Sequence, residues 1–145
     1  MREQIPGEVE GKGSGPIRRV GDLQVYRRLV DLHLRVHEVS LTFPKFEMYE
    51  LGSQVRRSSN SAPAQIAEGF NNRHRNVYLE CINRSLGEIR ETQHHLMIAA
   101  RKGYLPGAQY MTLVEEYNEC SRMLRAIERA LEARGTRSRS LTSLL

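Results

Sequence analysis

Apolar side chains recur three and four residues apart in four successive stretches of this chain, and each stretch is bounded by a proline or a glycine. That spacing lines one face of an α helix, whereas a half-buried strand needs strict alternation, which the chain nowhere sustains. The first stretch covers about residues 22–41, with Asp22 as its expected N-cap. The second starts near Phe46, beyond the break at Pro44, and its stripe is Leu51, Val55, Ser58, Ala62 and Ile66, with Gly69 as its expected C-terminal cap. The third follows the polar residues 71–73, carries Tyr78, Ile82, Ser85, Leu86, Ile89, Gln93, Leu96 and Ala100, and stops at Lys102 and Gly103. Pro106 opens the fourth, whose stripe is Tyr110, Leu113, Val114, Tyr117, Cys120, Leu124, Ile127 and Leu131, with Gly135 expected to end it. Four helices joined by short loops make antiparallel neighbours, so the expected fold is all-α, an antiparallel up-down four-helix bundle.

Two of these helices depart from the ordinary pattern. In the first, Gln24, Arg27, Arg28, Asp31, Arg35 and Glu38 share one narrow arc, and apolar residues fill the remaining arc of about 220°. A surface helix needs a single stripe, so a second body must cover the excess. In a four-helix bundle no helix is central, which points to a subunit interface over Tyr26, Val30, His33 and His37. In the second helix, residues 58–64 (Ser-Ser-Asn-Ser-Ala-Pro-Ala) are unusually small and allow close helix approach. Pro63 lacks an N–H and opposes the carbonyl of Ser59, so a kink is expected there.

Residues 1–21 hold five glycines and two prolines and read as a flexible leader ahead of a bundle domain at 22–134 and a basic flexible tail at 135–145. Within the leader, residues 7–12 faintly suggest a phosphate-binding loop. The glycine spacing is one residue short, Gly13 replaces the required Ser or Thr, and no strand precedes it. No apolar run reaches membrane-spanning length and the start of the chain has no apolar signal core, so a cytoplasmic protein with no membrane partner is expected. Cys81 and Cys120 fall on buried faces and read as reduced core thiols.

The net charge is +5, and its placement carries more than its size. Residues 1–50 sum to zero, 51–110 to +4, 111–133 to −2 and 134–145 to +3. Arg56, Arg57, Arg73, His74 and Arg75 cluster around the second helix and the loop after it, and Arg137 and Arg139 load the tail. These arginines are the expected nucleic-acid contacts, because guanidinium groups pair bidentately with phosphates. A solvated basic face is the competing explanation, as is an arginine-rich genome, since 19 of the 22 basic residues are Arg.

Catalytic patterns are weak. A di-metal bundle needs two Glu-x-x-His motifs and two more inward Glu. The chain has one, residues 91–94, and Glu91 and His94 flank the stripe instead of lying on it. His33 and His37, one turn apart, have metal-ligand spacing, but hydrogen-bonded interface histidines account for them more simply. No glycine elbow surrounds a serine, and neither cysteine has an activating neighbour. The expectation is a protein that is not an enzyme and uses no cofactor or metal.

Residues 22–26 (Asp-Leu-Gln-Val-Tyr), 43–51 (Phe-Pro-Lys-Phe-Glu-Met-Tyr-Glu-Leu) and 54–69 (Gln-Val-Arg-Arg-Ser-Ser-Asn-Ser-Ala-Pro-Ala-Gln-Ile-Ala-Glu-Gly) resemble the four-helix bundle family of 23S ribosomal-RNA intervening-sequence proteins. Residues 85–89 and 103–105 continue the match in order, so that it spans about residues 22–130. Arg84 departs from the family, which has a small residue there. Members are encoded within insertions in large-subunit ribosomal RNA genes, and others are similar to the accessory protein of diversity-generating retroelements. That accessory protein forms a ring-like homopentamer, binds nucleic acid and partners a reverse transcriptase.

The resemblance therefore implies a ring-like homopentamer that binds RNA or DNA as an accessory factor, with a reverse transcriptase as a further partner. It implies a binding-surface role for Arg56 and Arg57, and a structural role for Glu68 and Glu88 in pairing with arginines between helices. The alternative is an oligomeric protein-interaction scaffold that binds no nucleic acid.

Overall fold

A computed structural model describes residues 15–143, with side chains described over 15–135. The described residues form four α helices and no strand: α1 (Gln24–Ser40), α2 (Leu51–Gly69), α3 (Arg75–Arg101) and α4 (Gly107–Ser143). Short 3-10 turns precede α1 at Val20–Asp22 and α2 at Lys45–Glu47. Contacts between side chains set the direction of each neighbour. Arg56 reaches Ser40 across α1 and α2, Thr92 reaches Ser58 across α2 and α3, and Gln93 reaches Asn118 across α3 and α4. Arg35 and Glu116 close the ring of helices between α1 and α4. In every pair, higher numbers on one helix meet lower numbers on the next, as an up-down bundle requires.

One apolar core runs through all four helices. Leu29, Val36, Val55, Ala62, Ile66, Ile82, Ile89, Leu96, Leu113, Tyr117 and Leu124 have essentially no exposure. Burying a Leu- or Ile-sized side chain stabilises a fold by about 1.5–3 kcal/mol, so this column is the main source of stability. The α2–α3 seam is of another kind. Its buried residues include Ser58, Ser59, Ala62 and Gly69 on α2, and Cys81, Ser85 and Thr92 on α3. Small side chains bring the backbones together, and hydroxyls occupy the gap. The Ser85 hydroxyl donates to the Ala62 carbonyl at 2.8 Å, and the Thr92 and Ser58 hydroxyls lie 2.8 Å apart. Pro63 sits inside α2, and its missing N–H leaves the Ser59 carbonyl without the usual helical donor.

Several helix boundaries differ from the expectation. Asp22 does not cap α1, because its carboxylate accepts the backbone N–H groups of Arg18 and Arg19, both at 2.9 Å, and closes the preceding turn. Leu23 occupies the α1 N-cap position with no side-chain hydrogen bond. The stretch after Pro44 turns before it becomes helical, so α2 starts at Leu51 and not near Phe46. Gly69 is not the left-handed cap of α2. That conformation belongs to Asn71 (φ 49°), while a Cβ on Gly69 would lie 2.4 Å from the Cβ of Cys81. Gly69 is a contact glycine.

The end of α3 follows the expectation closely. Gly103 adopts φ +80°, its N–H donates to Ala100, and the Tyr104 N–H donates to Ala99, so both orphan carbonyls are capped. By contrast α4 continues through Gly135 to Ser143. Gly135 is buried, and a Cβ there would fall 2.4 Å from the guanidinium carbon of Arg75. This glycine makes room for an arginine of α3 instead of ending its own helix. Arg84, the departure from the family pattern, is exposed and pairs with Glu80 one turn back, leaving the adjacent Ser85 to make the buried contact.

Candidate assembly and nucleic-acid surfaces

The inner face of α1 buries Val25, Leu29, Leu32, Val36 and Val39. Its outer face is left with the apolar excess that the sequence contains. Tyr26, Val30 and His33 are half-buried, His37 is exposed, and Leu34 and Leu41 are 57% and 59% exposed. Positions 26, 30, 33, 37 and 41 recur every three or four residues, so they form a seam along the helix suited to a packing partner.

The two histidines on this seam differ in their bonding. Ser59 donates its hydroxyl proton to the Arg56 carbonyl at 3.1 Å, and its oxygen lies 2.8 Å from His33 Nδ1. The His33 and His37 rings meet edge to face at 6.3 Å. Burial holds the His33 pKa below the ordinary imidazole value, and neighbouring His37 adds to the effect. Among the described residues, no group of three or more His, Cys, Asp and Glu side chains is placed to hold a metal ion.

The arginines singled out from the sequence do not gather into one patch. Arg56 is half-buried and donates to the Ser40 hydroxyl at 3.0 Å and to the Met48 carbonyl at 2.5 Å, tying the end of α1 to the turn before α2. Gly52 leaves it space, since a Cβ there would lie 2.8 Å from an Arg56 nitrogen. Arg57 is exposed and pairs with Glu91 of α3 at 2.8 Å. Arg73 is exposed in the α2–α3 loop, and Arg75 packs over Gly135. Helix rise alone separates Arg56 from that loop by about 20 Å. The side chains of Arg137 and Arg139 lie outside the described residues.

Around the Arg57–Glu91 pair runs a polar seam that periodicity did not mark. Glu91 also faces His95 Nε2 at 3.5 Å, and Glu88 lies one turn back. Burial raises the Glu88 carboxyl above its usual range, Glu91 pushes the same way, and Arg57 opposes. Buried Gln65 Oε1, Glu88 Oε2 and His95 Nε2 have no hydrogen-bond partner among the described residues. Of the glutamates expected to meet an arginine between helices, Glu88 feels the charge of Arg57, while the direct ion pair is made by Glu91. The signal available in the sequence was the spacing of residues 88, 91 and 95, which places all three on one side of α3.

A second missed feature lies in the turn before α2. Phe46 and Tyr49 are 72% and 86% exposed there, beside exposed Lys45 and Met48. Both thiols are free and buried, and burial drives that of Cys120 up to about 11, which keeps it protonated and unreactive at neutral pH. Two open clefts of about 350 Å³ each follow the α1–α4 seam, and Arg35 lines both. No helix among the described residues is long and apolar enough to cross a membrane.

Residues 21–126 match the family model described as 23S rRNA-intervening sequence protein. The chain belongs to that family. The 23S rRNA-intervening sequence fold is also met in a crystal structure of a protein of unknown function from the S23 ribosomal protein family of Bacteroides thetaiotaomicron. The two chains are 22% identical, superpose with a TM-score of 0.67, and overlap over 72% of this chain and 95% of that one. At that identity the likeness speaks for the fold alone. No curated protein matches the sequence.

Proposed function

We propose that this 23S rRNA-intervening sequence protein works as a homo-oligomer, five copies by family resemblance, whose repeated basic surface binds RNA or DNA without catalysis. The observation that carries the reading is the uncovered outer face of α1. Along this seam a single chain leaves Leu34, His37 and Leu41 exposed and Tyr26, Val30 and His33 half-exposed. A second copy supplies the same seam and a symmetric way to cover it. Assembly would also multiply a charge that is modest in one chain, at +5. A reverse transcriptase is the further partner implied by resemblance, and gene neighbourhood tests that directly.

Light scattering of the full chain reads the assembly, and Val30→Asp with Leu34→Asp should reduce the mass to that of one chain. A wild-type monomer at tens of micromolar would refute the assembly. Gel shifts with structured RNA and duplex DNA over a salt series read the ligand. Binding should weaken steeply with salt, and no binding at low salt would refute the nucleic-acid half.

A protein-interaction scaffold is the second reading. It is favoured by the engagement of Arg56 and Arg57 in contacts within the chain, which leaves less free charge than the sequence suggests. Charge reversal at Arg73 together with Arg57 separates the two, because a scaffold would keep its protein contact.

A further inference from the structure

The turn between Pro44 and Leu51 leaves its two aromatic rings exposed although the flanking Phe43 and Leu51 are buried. Phe43, three residues before Phe46, is buried and packs against Tyr104 with ring centroids 5.7 Å apart. Phe46 and Tyr49, at 72% and 86% exposure, keep most of their surface in water. Their position is held by the turn itself. The Glu47 side chain is buried and pairs with Lys102 Nζ at 3.2 Å, which pins the turn to the end of α3. Arg56 grips the Met48 carbonyl from α2, and the Glu47 N–H donates to the Pro44 carbonyl at 2.9 Å. Gly52 packs under the same turn, where a Cβ would lie 2.9 Å from the Glu47 carbonyl oxygen.

We infer that this turn is a preorganised stacking platform for unpaired bases of a single-stranded nucleic acid, with Phe46 and Tyr49 as the stacking rings and Lys45 as the adjacent phosphate contact. The inference rests on the nucleic-acid reading above and names the strand form and the residues it uses. Three properties favour this occupant over a second copy of the chain. Rings so exposed offer π-faces to an incoming base, and every base can stack on them whatever its sequence. Exposed Lys45 stands within the turn against one exposed acid there, Glu50, and Arg101 is exposed at the end of α3, next in sequence to the Lys102 that pairs with Glu47. The other acid of the turn, Glu47, is buried and paired with Lys102.

Fluorescence anisotropy of the full-length protein with labelled U20 RNA, dT20 and a 20-base-pair duplex tests the inference. Phe46→Ala and Tyr49→Ala should each weaken binding to U20 and dT20 by about tenfold, and the double variant by more, with little change for the duplex. Tyr49→Trp should retain binding, and Lys45→Gln should weaken it a few-fold and flatten the salt dependence. Because these side chains are exposed, circular dichroism and the melting temperature should stay at wild-type values. If the wild type binds the strands and the double variant binds equally well, the platform is refuted while nucleic-acid binding stands. If the wild type binds nothing at low salt, both readings fall. If the double variant loses mass in light scattering, a second copy covers the turn and the inference is overturned.

Discussion

Substituting Gly69 by alanine isolates the contact that sets the distance between α2 and α3. In an unobstructed helix, Gly→Ala stabilises by up to about 1 kcal/mol, because alanine loses less backbone freedom on folding. At Gly69 the added Cβ would stand 2.4 Å from the Cβ and 2.6 Å from the Sγ of Cys81. The Cys81 Cβ is fixed to the α3 backbone and cannot swing away, so the two helices must separate. Overpacking of this kind costs about 1–3 kcal/mol, which outweighs the gain in propensity. A net loss of about 1–2 kcal/mol is expected, lowering the melting temperature by about 3–8 °C for a chain of this size. Gly87→Ala is the matched control. It lies within α3, its nearest neighbour to a new Cβ is an Arg90 nitrogen at 3.9 Å, and it should raise the melting temperature. Thermal unfolding followed by circular dichroism at 222 nm reads both. A double-mutant cycle with Cys81→Gly should recover about 1–2 kcal/mol as coupling energy. The reasoning fails if Gly69→Ala stabilises as Gly87→Ala does, or if the cycle shows no coupling.

Lys102→Ala strands the buried Glu47 carboxylate and should cost about 1–3 kcal/mol, whereas Arg35→Ala removes an exposed pair with Glu116 and should cost less than about 1 kcal/mol; urea unfolding of both variants checks the order. Thr92→Val deletes the hydroxyl that meets Ser58 and the Glu88 carbonyl, and should destabilise by about 1–2 kcal/mol in the same assay. The pH dependence follows from groups whose folded pKa is displaced. Burial lowers both His33 and His95 below 6.5, so the unfolded chain takes up protons first, and stability present above 6.5 is lost as the pH falls through and below it. Glu88 is raised above 4.5, so protonation favours its folded form and opposes that loss as the pH falls. Melting temperatures at pH 7.5 and 5.5 should therefore differ more in the wild type than in a His33→Gln, His95→Gln variant, and equal differences would refute the assignment.

The bundle was legible because its core residues repeat at the helical period, and the excess apolar arc of α1 reappears as an uncovered seam. The small run at 58–64 likewise reappears as the close α2–α3 approach. What misled was local grammar whose meaning depends on tertiary partners. Asp22 looks like an N-cap, yet the nearest free N–H groups belong to the preceding turn. Gly135 looks like a helix end, yet α4 runs past it, and both it and Gly69, the last residue of α2, are small because a side chain from α3 presses on each. The arginines were a count of charges, and only the structure separates Arg56, which ties a turn, from Arg73, which faces water. Residues 46 and 49 carried no period at all, since they sit where the chain is a turn.

The antiparallel order of the helices also gives the molecule two unlike poles. The start of α1 and the end of α4 share one pole with the Arg75–Gly135 contact, and the Phe46–Tyr49 turn sits at the other, about 40 Å away if measured along the 27 residues of α3. An affinity tag or dye attached at the start of α1 would thus stand clear of the aromatic turn. Were copies to assemble with their helices along a common axis, one rim would gather every Arg75–Gly135 contact and the opposite rim every aromatic turn.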